Sequence, residues 1–71
     1  MNKPEAVAER ININTATSEQ LQTLKGIGVT YAQRIINYRE SKGGFKAIEE
    51  LLKVKGIGKK RLDNIRPFVK L

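Results

Sequence analysis

From Ile11 onward, apolar residues recur at helical spacing in short stretches broken by glycine. Leu21 and Leu24 give one apolar side to a segment that follows Thr17. Thr17 with Gln20 three residues on forms a capping-box pattern, which places that helix start at Ser18. Gly26 and Gly28 interrupt it. A longer helix is expected from Val29 to about Lys42, with Ala32, Ile35 and Ile36 on one face and Arg34, Asn37 and Arg39 off it. Gly43-Gly44 ends that helix, and Phe45 is expected to anchor the next linker to the core. A short helix from about Ala47 to Leu52 leads to Gly56 and Gly58. The last helix, Lys59 to Arg66, buries Leu62 and Ile65; Pro67 stops it, and Phe68 and Val69 fold back onto the core. No segment alternates apolar and polar residues for a useful length, so the expected fold is all-α.

The chain also repeats itself. Shifted by thirty residues, Glu19-Gln-Leu-Gln-Thr-Leu-Lys-Gly-Ile-Gly28 falls on Glu49-Glu-Leu-Leu-Lys-Val-Lys-Gly-Ile-Gly58. Past the glycines, Ala32 falls on Leu62 and Ile35 on Ile65. Two copies of one helix-turn-helix unit account for this, at about residues 17–42 and 47–71 of a domain spanning 11–71. Residues 1–10 are polar and without a period, and read as a flexible N-terminal tail.

Composition narrows the chemistry. At 71 residues there is room for one thin core and none for a second lobe closing over a substrate. The absence of cysteine and histidine removes disulfides, thiolate metal sites and the commonest general base. No pair of carboxylates sits among apolar neighbours, so no enzymatic activity, cofactor, metal or small-molecule substrate is expected. The net charge of +7 creates a field that attracts polyanions without saying which. No apolar run approaches the roughly 18 residues of a membrane-spanning helix, so direct membrane insertion is not expected. The first ten residues contain no signal-peptide core. Either a cytoplasmic protein is expected, or an export signal belonging to a longer precursor.

Each copy carries a hydrophobic residue, one spacer, Gly, Ile and Gly leading directly into a helix. The first N–H groups of a helix have no partner within it and carry the positive end of its dipole, so an anion there is stabilised. Glycine lets a phosphate oxygen approach the main chain and lets the turn take a positive φ. Ile27 and Ile57 are expected to point inward and pin the helices. The candidate phosphate-binding residues are Lys25, Gly26, Gly28 and Thr30 in the first copy, and Lys55, Gly56, Gly58, Lys59 and Lys60 in the second. Where the second copy has Lys59 and Lys60, the first has Val29 and Thr30, with Arg34 beyond, so the second hairpin is expected to carry more of the affinity. Arg61 stays open between a phosphate contact and a solvated charge. Asn12 and Asn14 are expected to shape the fold through local hydrogen bonds, and Tyr31 and Tyr38 to be half-buried packing.

The doubled pattern, preceded by Asn12-Ile13-Asn14-Thr15-Ala16 and joined by Gly43-Gly44-Phe45, resembles the helix-hairpin-helix domain of the bacterial competence DNA-receptor (ComEA-type) family. The similarity runs from about Ile11 to Leu71. It implies a tandem helix-hairpin-helix domain of about five short helices related by a pseudo-two-fold. Such a domain binds double-stranded DNA non-specifically across the minor groove, each hairpin holding one strand's phosphates. It further implies DNA uptake during transformation, an uptake channel or pilus machinery as partners, and a periplasmic or cell-surface location. Ala47 departs from the Ser or Thr common in that family, which predicts a poorly capped second lead-in helix. Two other readings stay open: a protein-interaction or assembly module with purely structural hairpins, and the DNA-guiding part of an enzyme whose chemistry lies in another domain.

Overall fold

The computed structural model describes residues 10–71. Residues 1–9, most of the expected tail, lie outside the described residues; Arg10 is exposed and donates from Nε to the Pro67 carbonyl at 3.2 Å. The fold is all-α, with five short helical segments among the described residues. Helix α1 spans Ser18–Gln22, α2 Val29–Lys42 and α3 Lys59–Ile65, while Ile48–Lys53 and Arg66–Phe68 are 3-10 turns.

Thr17 starts α1 with both halves of a capping box: its hydroxyl accepts from the Gln20 amide, and the Gln20 side chain accepts from the Thr17 amide. In the second copy Ala47 stands at the matching position and has no side-chain oxygen to offer. Glu50 still reaches back, accepting from the Lys46 amide at 2.9 Å. The half-capped segment tightens into a 3-10 helix, in which the Glu50 amide bonds the Ala47 carbonyl. Helix α2 ends at Gly43, which takes the left-handed conformation at φ 76°.

The core is built twice from the same register. Leu21 and Leu51, Leu24 and Val54, Ile27 and Ile57, Ala32 and Leu62, and Ile35 and Ile65 are all buried, each pair thirty residues apart. Burying a side chain of the Leu or Ile class contributes roughly 1.5–3 kcal/mol. Ile13, Ala16, Phe45 and Val69 close the core from the connecting segments. Phe45 also stacks on Tyr38, with ring centroids 4.9 Å apart.

The ends of the domain meet in a two-residue parallel pairing absent from the sequence expectation: β1 (Ile11–Asn12) lies against β2 (Val69–Lys70). Two residues are too few to show a strand period, so only the folded chain reveals it. Asn12 shapes the following turn locally, its side chain accepting from the Asn14 amide at 2.8 Å. Asn14 does something the expectation of local bonding did not contain. It donates from Nδ2 to the Phe45 carbonyl and accepts from the Phe45 amide, clasping the linker between the copies. Arg39 adds a bond from Nη1 to the Ile13 carbonyl, so the N-terminal turn is tied to α2 as well. Among the described residues, no helix is long and apolar enough to cross a membrane.

Candidate nucleic-acid interface

Both turns have one geometry. The Ile27 amide bonds the Leu24 carbonyl and the Ile57 amide the Val54 carbonyl, each at 3.0 Å. Gly26 and Gly56 take φ of 82° and 92° at the third position of these β-turns, where L side chains are strained. The second glycine of each motif differs. Gly28 and Gly58 are extended, with φ near −93° and −95°, a backbone any residue adopts. A Cβ added at either would meet nothing within 4 Å. Conformation therefore explains the first glycine of each pair, and the second leaves open space beside the main chain.

That space adjoins the starts of α2 and α3. Gly28 and Gly58 are their N-caps, neither has a side-chain cap bond, and neither helix carries an acid in its first turn. The first helical amides to find carbonyls are those of Ala32, on Gly28, and Leu62, on Gly58. The lead-in segments are treated oppositely: α1 has its capping box and Glu19, and the Ile48–Lys53 turn has Glu49 and Glu50. The molecule thus compensates the positive ends of its lead-in segments and leaves uncompensated the two that follow the hairpins.

The cations are unevenly spread. Lys25 and Lys55 are exposed in the turns; Lys59 and Lys60 are exposed just past the second turn. Lys59 lies 3.6 Å from Asp63, but with side chains 83% and 51% exposed that pair is weak. Past the first turn stand exposed Val29 and Thr30.

Three residues tie the hairpins together, and the sequence had not marked them for this. Arg61, on α3, donates from Nε to the Gly26 carbonyl at 3.2 Å, and Arg34, on α2, donates from Nη1 to the Lys55 carbonyl at 3.2 Å. Tyr31 lies between them, 5.7 Å from Arg34 Cζ and 4.5 Å from Arg61 Cζ, measured from the ring centroid. Its ring fills the place where a Cβ on Gly56 would stand. A signal was available: Tyr31 and Arg61 coincide under the thirty-residue shift. The brace brings Lys25 and Gly26 of the first copy beside Lys60, Arg61 and Asn64 of the second, around a cleft of about 310 Å³. Gly28, Thr30, Lys55, Gly56, Gly58 and Lys59 do not line that cleft.

Sequence comparison agrees with this architecture. Residues 7–70 match the family model of the helix-hairpin-helix motif. The chain is 50% identical over 59 residues to ComE operon protein 1 of Bacillus subtilis, covering 83% of this chain and 29% of that protein. It is 50% identical over 58 residues to endonuclease/exonuclease/phosphatase family domain-containing protein 1 of Xenopus laevis, covering 82% of this chain and 10% of that one. An uncharacterized protein of Haemophilus influenzae is 47% identical over 64 residues, covering 89% of this chain and 57% of its own length. The chain therefore spans only part of each of these relatives. Its doubled turn and its match over nearly the whole length agree: the chain belongs to the helix-hairpin-helix family.

Proposed function

We propose that this domain binds double-stranded DNA through its phosphates without reading base sequence, using the two Gly-Ile-Gly hairpins, and performs no chemistry of its own. One observation carries the reading: two repeat-related helices begin at glycines with no side-chain cap and no acid in the first turn. Each offers free amides and a positive dipole end to an anion. The brace through Tyr31, Arg34 and Arg61 holds the two ends at a fixed separation, as gripping two strands of one duplex requires. Lys25, Lys55, Lys59 and Lys60 add charge without sequence discrimination.

The finer assignment is DNA uptake of the competence type, with the domain meeting incoming DNA outside the cytoplasm and passing it to uptake-channel or pilus components. The 50% identity to ComE operon protein 1 supports it. The Xenopus relative supports a modular view: a similar segment forms a tenth of a protein named for an endonuclease/exonuclease/phosphatase domain.

Fluorescence anisotropy with two 20-base-pair duplexes of unrelated sequence but equal A·T content and one single strand, at two salt concentrations, tests the binding. Equal affinity for the duplexes and weaker affinity for the single strand are expected. If roughly five phosphates are neutralised, raising salt from 50 to 200 mM costs about two to three decades. No binding at low salt would instead favour a protein-interaction module.

A further inference from the structure

The brace between the hairpins leaves one group unused. Arg61 is half-buried, its guanidinium face lies on Tyr31, and its Nε is committed to the Gly26 carbonyl. Among the described residues, no acceptor bonds its two Nη groups and no carboxylate pairs with it. A guanidinium fixed by its face and by Nε still presents a planar edge of N–H donors to an outside acceptor. The cleft beside it is lined by Lys25, Gly26, Lys60 and Asn64, with no acid among them. Such a site holds a pre-oriented cation in positive surroundings, bonded to the first turn and stacked on Tyr31, which itself packs against the second.

We infer that Arg61 is the minor-groove contact of this domain and gives it a bias toward A·T-rich duplex. This rests on the reading that the hairpins hold opposite strands. Single side chains, Arg34 and Arg61, span from one copy to the other's turn. That short reach suits the minor groove, about 6 Å wide, better than the major groove, about 12 Å. The minor-groove floor at A·T pairs presents acceptors only, adenine N3 and thymine O2, whereas guanine adds an N2 amine that opposes a donor. A-tracts also narrow the groove and deepen its negative potential, which favours an inserted arginine. Phosphate contacts from the hairpins are blind to this difference. Lysine cannot replace Arg61, since an ammonium has no planar face for Tyr31 and no fork to serve Gly26 and a base together.

The test compares three 20-base-pair duplexes by anisotropy: one with A-tracts, one rich in G·C, and the G·C duplex with inosine replacing guanine, which removes only the N2 amine. The wild-type chain should bind the A-tract and inosine duplexes about three- to tenfold more tightly than the G·C duplex. Arg61→Lys and Arg61→Gln, checked for helix content by circular dichroism, should bind all three alike. Equal binding of the three by the wild type overturns the inference while leaving the hairpin reading intact, and depends on no variant. Retention of the preference in both variants overturns it too. Failure of the wild type to bind any duplex overturns the hairpin reading itself.

Discussion

Arg61 stacks on Tyr31 with its Cζ 4.5 Å from the ring centroid, and the two residues occupy the same position in their respective copies, thirty residues apart. Each also reaches into the other copy's turn: Tyr31 lies against Gly56, and Arg61 bonds the carbonyl of Gly26. This reciprocal exchange is what a pseudo-two-fold arrangement produces near its axis. Its consequence is mechanical, because each helix start braces the opposite turn and the two hairpins cannot shift independently. The divergence of the pair into one aromatic and one cation lets them attract each other, where two arginines would repel.

Replacing Tyr31 with alanine should loosen that brace. The half-buried ring and its cation contacts together predict a stability loss of about 1–3 kcal/mol. Tyr31→Phe should stay within about 0.5 kcal/mol of the wild type, since the ring rather than the hydroxyl makes the contacts. Binding to duplex should weaken in the alanine variant even at temperatures where it is fully folded, because the hairpin spacing is no longer held. Thermal melts followed by anisotropy check this; an alanine variant as stable and as tight-binding as the wild type would refute the brace.

The two glycines of the second hairpin should respond in opposite ways. Gly56 combines φ 92° with the Tyr31 ring packed where a Cβ would go, so Gly56→Ala should destabilise by roughly 1–3 kcal/mol. Gly58 is extended with open space beside it, so serine fits there and can cap α3 from within. Gly58→Ser should leave stability unchanged or raise it by a few tenths of a kcal/mol, roughly the margin of serine over glycine at an N-cap. Its hydroxyl would then occupy the amides assigned to phosphate, and duplex affinity should fall about fivefold or more. A serine variant that folds well and binds DNA undiminished would show that those amides are not the binding groups.

The asymmetry between the copies can be tested by a gain. Val29 is 67% exposed at the first position of α2, where the second copy carries Lys59. Val29→Lys adds a cation beside the first hairpin, and one further phosphate contact should steepen the log–log salt dependence by about 0.9. Affinity at low salt should rise. Stability should drop slightly, by about 0.3–1 kcal/mol, because a cation at a helix N-terminus opposes the dipole. An unchanged salt slope would place Val29 away from the DNA-facing surface.

Much of this was legible in one dimension. Glycine spacing, inward isoleucines, the Thr17–Gln20 cap and the missing cap at Ala47 are local or periodic features, and local physics settles them. What escaped was whatever depends on chain segments meeting. The pairing of Ile11–Asn12 with Val69–Lys70 is too short to leave a period. Asn14 finds Phe45 thirty-one positions away. Arg61 could not be assigned from its neighbours Lys59 and Lys60, because a charge in sequence has no direction; its direction comes from Tyr31 and Gly26, which only folding brings near.

Acid should reveal one more interaction that ties the second lead-in segment to the C-terminal end of α3. Arg66 donates from Nη1 to Glu49 at 2.8 Å, and that bond holds the Glu49 carboxyl below its ordinary value of 4.5. A bond to Glu49's own main chain acts in the same direction, and slight desolvation opposes both. Because the folded value lies below the unfolded one, the pair stabilises fully above the unfolded value, and its contribution fades as pH falls through the folded value. Both side chains are substantially exposed, 42% for Arg66 and 61% for Glu49, so the effect is small and weakens with salt. Glu49→Gln should therefore melt slightly below the wild type at pH 7, with the gap closing between pH 4.5 and lower values. Once Glu49 is protonated in the wild type as well, the two melts should coincide. Melting both proteins in low salt from pH 7 downward checks this; a gap that persists unchanged in strong acid would mean the glutamine acts by some route other than the lost charge.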